Sequence, residues 1–223
     1  MSNSNDIFEQ IPSNIRPFLE KQGLKELRPS QEKSIRNGLF TNQNNQLISA
    51  PTASGKTLVA ELAMLDTVFN HKKKAVYILP LRALASEKYK EFRKLYGEDL
   101  KIRISIGDIQ NMSLIYDFDL LIVTSEKLDS MIRHDKEFLD GVGLILVDEI
   151  HLLNDETRGP TLEILLSIFK TNFSKIRIVG LSATIGNPKE LAQWLEADLI
   201  EDQWRPVKLE HHVLKDDELV RYK

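Results

Sequence analysis

Residues Ala50-Pro51-Thr52-Ala53-Ser54-Gly55-Lys56-Thr57 follow the short run Gln46-Leu47-Ile48-Ser49 and lead into Leu58-Val59-Ala60-Glu61-Leu62-Ala63-Met64-Leu65. That order reads as strand, tight loop and helix, with Gly-Lys-Thr at the hinge. Backbone N–H groups of such a loop converge on phosphate oxygens, and the helix N-terminus adds its partial positive charge. Lys56 then reaches the β- and γ-phosphates of a nucleoside triphosphate, and the Thr57 hydroxyl ligates Mg²⁺. The pattern ordinarily opens on Gly, where this chain has Ala50, so the match is to a relaxed form. Apolar residues at 58, 62, 65 and 69, with 59 and 63 beside them, keep helical spacing behind the loop.

A strand–loop–helix unit of this kind belongs in an α/β sheet, and the rest of the chain keeps the same beat. Apolar runs predict strands at 46–49, 75–79, 102–106, 119–124, 144–148 and 177–182. Helical patterns lie between them at 30–39, 57–69, 82–95, 125–133, 160–170 and 188–195. Strands of continuous apolar character separated by helices predict a parallel sheet covered on both faces. Asn187-Pro188-Lys189-Glu190 reads as a helix start, with Asn187 as N-cap, Pro188 at N1 and Glu190 at N3. The 223 residues suffice for one large α/β domain or two small ones.

Composition removes some classes of function. Without cysteine the chain has no disulfide and no Cys-based zinc site. No apolar run approaches a membrane span, and Met1-Ser2-Asn3-Ser4-Asn5-Asp6 is not a signal peptide, which points to a cytoplasmic protein. A net charge of −3 gives no global pull on nucleic acid, so any such binding needs a local patch and backbone amides.

The second chemical signal is Leu144-Ile145-Leu146-Val147-Asp148-Glu149-Ile150-His151. Four apolar residues followed by two acids predict a buried strand that delivers carboxylates at its C-terminal end, where open α/β sheets bind ligands. In that place Asp148 holds Mg²⁺ opposite Thr57, directly or through water, and Glu149 orients and deprotonates the attacking water.

With both signals in place, the chain resembles the superfamily 2 helicases, whose DExH box is similar to Asp148-Glu149-Ile150-His151. Leu27-Arg28-Pro29-Ser30-Gln31 resembles the Q motif, which implies that Gln31 reads the adenine edge. Pro80-Leu81-Arg82-Ala83-Leu84 resembles motif Ia, Thr124-Ser125-Glu126-Lys127 motif Ib, and Ser182-Ala183-Thr184 motif III. The resemblance implies that Ser182 and Thr184 couple nucleotide state to domain closure, and that His151 links the ATP side to the nucleic acid. Residues 124–134, Leu181-Ser182-Ala183-Thr184-Ile185-Gly186-Asn187-Pro188 and Trp204-Arg205-Pro206-Val207 look like the archaeal Hjm-type DNA repair helicases, of the Ski-like group. That family implies ATP-driven 3′-to-5′ translocation on single-stranded DNA and unwinding of forks.

The family motor is two RecA-like domains with ATP and Mg²⁺ between them. Nothing in this chain resembles the Gln-x-x-Gly-Arg-x-Gly-Arg motif of the second, and Arg205 and Arg221 stand in unsuitable context. The expectation is a helical lead-in over 1–28, the first RecA-like domain over 29–204, and an extended linker over 205–223 toward a second domain. Read so, the chain is the N-terminal part of a longer helicase, nearly inactive alone because an absent arginine finger costs roughly 10³–10⁵ in turnover.

Loops that follow predicted strands gather at one edge of a parallel sheet. Pro80, Leu81 and Arg82, then Gly107 and Asp108, then Thr124, Ser125 and Lys127 are therefore the expected strand contacts, gripping phosphates without reading bases. RNA in place of DNA remains open here, as does a nucleotide-gated clamp without turnover, although intact Lys56, Asp148 and Glu149 argue against the clamp. His71-Lys72-Lys73-Lys74 and His211-His212 read as solvated surface, and Trp194 as core beside Leu191 and Leu195. Trp204 reads as an anchor where the chain leaves the domain.

Overall fold

A computed structural model describes residues 7–107 and 116–207, together with the backbone of 212–215 and 218–221. Adjacent residues of each central strand lie in two different cores. Ile48, Tyr77, Leu79, Leu144 and Leu146 fall in one, while Leu47, Val76, Ile78, Ile145 and Val147 fall in the other. Side chains alternate across a strand, so a run apolar at every position needs cover on both faces.

The strands are β1 (Asn45–Ser49), β2 (Lys74–Leu79), β3 (Ile102–Ser105), β4 (Leu120–Thr124), β5 (Val142–Val147), β6 (Arg177–Ser182) and β7 (Ala197–Glu201). They form one seven-stranded sheet in the order β3-β4-β2-β5-β6-β1-β7, and every pairing is parallel. Helices α1 (Arg16–Lys21), α2 (Pro29–Arg36), α3 (Lys56–Phe69) and α4 (Arg82–Tyr96) supply the first core. Helices α5 (Ser125–His134), α6 (Gly159–Asn172) and α7 (Pro188–Leu195) supply the second. The connection leaving β1 crosses toward β2 and the one leaving β6 crosses the other way to β7, although β1 and β6 are neighbours. Such a reversal opens a crevice at the C-terminal ends of the strands, where α/β sheets hold ligands.

The elements differ from the sequence reading where a local pattern misleads. Helix α2 stops at Arg36 rather than 39, because Gly38 takes φ +89°. Strand β3 ends at Ser105. Strand β7, absent from the sequence reading, pairs with β1 at the sheet edge and buries only Ile200, so its pattern is not apolar throughout. Asn187 stands at the N-cap of α7, but its side chain donates to Glu190 Oε2 at 3.3 Å rather than capping the helix. Within the expected lead-in, Ile7, Ile11, Ile15 and Leu19 are buried in the first core. Within the segment expected to run extended, β8 (His212–Lys215) and β9 (Glu218–Arg221) pair as an antiparallel hairpin. Trp194 is half-buried, with Lys170 Nζ 5.2 Å from the ring centroid, and His71 lies 3.2 Å from Asp66. His211 lies outside the described residues.

One acid is buried in the helix behind the phosphate loop. Glu61 of α3 is 5% exposed and accepts from the Tyr96 hydroxyl, which also accepts from Gln22 Nε2 at 2.9 Å. Burial raises the Glu61 carboxyl above the ordinary carboxylate value of 4.5. A raised folded-state value means that stability present below about pH 4.5 is lost as pH rises toward the folded-state value. Glu61→Gln removes that loss. The melting temperature of the wild type is therefore expected to fall relative to Glu61→Gln as pH is raised from 4.5; parallel curves would show that the carboxyl does not titrate with folding.

Candidate active site

The phosphate loop is held open from its two sides. Gly55, at the N-cap of α3, takes φ +90°, and a Cβ there would stand 2.4 Å from Gln31 Nε2 and 2.9 Å from Arg28 Cδ. Glycine is thus required twice, by conformation and by space. Gln31 Nε2 donates to Gly55 O at 2.9 Å and its Oε1 accepts from Arg28 N at 2.7 Å. Arg28 in turn donates from Nη1 to Ala53 O at 2.6 Å and lies 5.6 Å from the Trp204 ring centroid. Ala53 itself has φ +64°. Gln31 is therefore packed on the loop, 3% exposed, while Thr52 and Ala53 are exposed at its tip.

Lys56 Nζ donates to Ala50 O at 2.7 Å and Pro51 O at 3.0 Å. Burial pushes its ammonium below the usual lysine value, the Glu149 and Asp148 carboxylates hold it up, and Arg205 adds to the lowering. Those influences place the loop lysine and the acid pair within electrostatic reach of one another. They also bring Arg205, which the sequence context set aside, to the same locality. Ser54 Oγ is buried with no hydrogen-bond partner, and Thr57 is half-buried as the second residue of α3.

The acids sit at the end of β5. Asp148 N donates to Ile78 O at 2.9 Å, which fixes the turn to the neighbouring strand. Asp148 Oδ2 accepts from the buried Tyr77 hydroxyl at 3.0 Å, and Oδ1 from Glu149 N at 3.0 Å. Burial and the adjoining carboxylate push the Tyr77 phenol well up, so it stays a donor. Glu149 is left-handed at φ +49°, costly for a residue with a side chain and of the kind found at functional turns. The turn leaves its side chain 39% exposed. His151 Nδ1 lies 3.3 Å from Glu149 Oε2 and 3.4 Å from Ala183 N. With a proton on Nδ1 the ring donates to Glu149; without it, the ring accepts from Ala183 N–H.

The segment after β6 meets both halves. Ser182 is fully buried, its carbonyl accepts from Ala50 N at 3.2 Å, and its hydroxyl donates to Ala183 O at 2.8 Å. Thr184 is exposed one step further along the loop. Ala50, Ser182, His151 and Glu149 thus form a continuous chain of contacts. Tyr77, Arg28 and Arg158 were not foreseen as site residues; a single hydroxyl amid the apolar run Ala75–Leu79 was the one sequence signal for Tyr77.

Beside the acids, Pro80, Leu81, Arg82, Gly107, Thr124 and Lys127 line one open depression of about 410 Å³, with Arg158 among them. Ser125 lines a smaller adjoining cavity, and Asp108 lies outside the described residues. Among the described residues, the side chains of Arg82, Lys127 and Arg158 make no ion pair or hydrogen bond. Lys33, Lys101 and Arg133, by contrast, are paired with carboxylates at 2.8 Å.

A glycine-hinged phosphate loop and an acid pair, joined at the C-terminal edge of a doubly covered parallel sheet, define a RecA-like P-loop domain. The DEAD/DEAH box helicase family model matches residues 28–191. The chain belongs to that family. It is 48% identical over 91% of its length to a Methanocaldococcus jannaschii protein named ATP-dependent DNA helicase Hel308, of which it covers 17%. It is 45% identical over 93% of its length to the Hel308 of Methanococcus vannielii, and 43% over 92% to that of Pyrococcus horikoshii, covering 28% of each. The chain therefore spans less than a third of the length of these relatives. In fold it is similar to the DUF1998 helicase MrfA, solved bound to DNA, with a TM-score of 0.72 and 24% identity over 87% of this chain and 30% of that one. Among the described residues no helix is long and apolar enough to cross a membrane.

Proposed function

We propose that this chain is the ATP-binding motor domain of an ATP-dependent 3′-to-5′ DNA helicase that acts on single-stranded or forked DNA in repair or replication restart. The observation that carries the reading is the hydrogen bond from Ala50 N to Ser182 O, which ties the phosphate loop to the segment that also meets His151 and Glu149. The DNA preference is supported by likeness to relatives named ATP-dependent DNA helicases, and the polarity by the motif resemblance alone. We place the protein in the cytoplasm, take 1–28 as a lead-in, 29–204 as the RecA-like domain, and 205–223 as the route to a second RecA-like domain that closes over the nucleotide.

The residues present suit ATP and Mg²⁺. Ser54 Oγ has no partner, Gly55 leaves room that a Cβ would fill, and each Asp148 oxygen accepts one hydrogen bond and retains lone-pair capacity. Among the described residues no three His or acidic side chains converge as a metal site. That fits Mg²⁺, which takes one or two protein ligands and completes its shell with water and phosphate. When bound, ATP supplies the phosphoryl group to be transferred and Mg²⁺ neutralises its developing charge.

Residues Ala50 to Thr57 would form the phosphate cradle, with backbone N–H groups from the stretch after Pro51, since Ala50 N is bonded to Ser182 O, and with the Lys56 ammonium as the cation. Thr57 and Asp148 would hold the metal. Gln31 keeps the loop in register through Gly55 O and would offer its remaining amide proton to the adenine edge. Glu149 takes the proton of the attacking water on a carboxylate oxygen. His151, within reach of Glu149 and Ala183, passes the state of the acid pair to Ser182 and Thr184.

ATP turnover by the whole protein carrying this domain, measured with single-stranded DNA, with single-stranded RNA and with neither, tests the proposal. DNA is expected to stimulate most. Preferential stimulation by RNA would reassign the domain to an RNA helicase of the Ski type, and no turnover under any condition would make it a nucleotide-gated clamp.

A further inference from the structure

Arg158 belongs to none of the helicase motifs used above, yet the fold takes unusual care over its position. It stands where the turn after the acid pair enters α6. Asp155 Oδ1 accepts from Thr157 N at 3.0 Å, from Thr157 Oγ1 at 2.6 Å and from Arg158 N at 2.9 Å. These donors hold the Asp155 carboxyl at about 2, below the usual carboxylate range. The next residue locks the turn from the other side, since a Cβ on Gly159 would fall 2.2 Å from Leu153 O. Such a loop has little freedom to swing its arginine elsewhere.

The rigid turn leaves the Arg158 side chain half-buried. Among the described residues the Arg158 guanidinium makes no ion pair and no hydrogen bond. The Asp155 carboxylate feels the Arg158 charge, but its Oδ1 is taken by the three turn donors and no ion pair forms. Arg158 lines two spaces. One is the depression of about 410 Å³ shared with Pro80, Arg82, Thr124 and Lys127. The other is a cavity of about 10 Å³ bounded by Ser125, Asp148, Glu149 and the apolar side chains of Ile78, Val147 and Leu152. The second has room for a single water at most. Only the first admits a phosphodiester. Arg82, Lys127 and Arg158 outnumber the one carboxylate on that wall, Glu126, which suits a polyanion, and a planar guanidinium suits phosphate oxygens in particular.

The geometry points to Arg158 as a backbone-phosphate contact for single-stranded nucleic acid, set in the wall that divides the strand depression from Asp148 and Glu149. This assignment rests on the proposed function, and it adds a contact that places the strand beside the acid pair. An occupied strand site would then be sensed at the ATPase through a fixed arginine rather than through a mobile loop.

The test is binding of a fluorescent single-stranded DNA by the whole protein, over a series of salt concentrations. Arg158→Gln is expected to raise Kd roughly five- to tenfold and to reduce the slope of log Kd against log salt by about 0.7, the signature of one lost phosphate contact on a single strand. The DNA concentration giving half-maximal ATPase should rise by the same factor. Arg158→Lys, which keeps the charge, is expected to retain the slope. A Kd and slope equal to those of the wild type would overturn the assignment. So would weaker binding with an unchanged slope, the mark of a role in supporting the turn. Failure of the wild-type protein to bind single-stranded nucleic acid at all would instead overturn the proposed function.

Discussion

Glu149→Gln is expected to lower ATP turnover by roughly 10²–10⁴-fold, the usual contribution of a positioned general base, while ATP affinity stays within a few-fold of the wild type. The two effects separate because different residues carry them. Phosphate binding falls to the loop amides and Lys56, whose ammonium lies among the Ala50 and Pro51 carbonyls. The Glu149 carboxylate lies within electrostatic reach of Lys56 but is not hydrogen-bonded to the loop, and its left-handed turn leaves it 39% exposed. Glutamine has the same length and preserves one oxygen that can face His151, but it cannot take a proton. Single-turnover hydrolysis together with equilibrium binding of ATP checks both parts. Turnover near the wild-type rate would remove Glu149 from the role of base; loss of binding would mean that the acid is needed to build the site.

Gly55→Ala is expected to weaken ATP binding by roughly 30- to 150-fold, although it adds one methyl group. The left-handed conformation costs a residue with a Cβ about 1–2 kcal/mol. The methyl carbon would also meet Gln31 Nε2 at 2.4 Å, so the amide must leave and its 2.9 Å bond to Gly55 O is broken. A hydrogen bond of that kind contributes about 1 kcal/mol. The two terms together reach about 2–3 kcal/mol, and each 1.4 kcal/mol is tenfold in affinity. Without nucleotide the variant loop relaxes away from this conformation, which leaves the melting temperature little changed, and the cost returns on binding, when the phosphates require the open loop. Titration of Gly55→Ala with ATP and Mg²⁺ reads the effect; affinity equal to the wild type would mean that the loop opens on binding and that the Gln31 contact is not kept.

These two residues differ in how they could be found. The glycine lay in a spacing that chemistry requires, between an apolar strand and a helix. The strands themselves were readable because each is covered on both faces, so β2, β4 and β5 are apolar at nearly every position. That same criterion hid β7, whose edge position buries little. It also hid contacts made by residues far apart in sequence. Nothing local to Tyr77 says that its hydroxyl meets Asp148, and nothing local to Arg28 says that it holds Ala53 O and lies over Trp204. Asn187 shows the opposite failure. Its sequence setting suits a cap, yet the side chain meets Glu190, a choice made by geometry at the end of β6 rather than by the pattern.

Arg158 was passed over for a related reason. A single arginine in a polar turn carries no spacing signal, and its meaning comes from the two spaces that it divides. The proposed strand contacts at Pro80, Arg82, Thr124 and Lys127 could be expected together because they follow parallel strands. Arg158 enters the same depression from the turn before α6, which no motif among those above covers.

The central claim is that Gln31, the phosphate loop and the Asp148-Glu149 pair form one nucleotide site. Calorimetric titration of the 223-residue chain with ATP and Mg²⁺, alongside Lys56→Ala, tests it most directly. The account predicts binding at a single site that Lys56→Ala abolishes while the chain keeps its melting temperature. Binding unchanged by Lys56→Ala would contradict it, because nucleotide would then be held somewhere other than this loop.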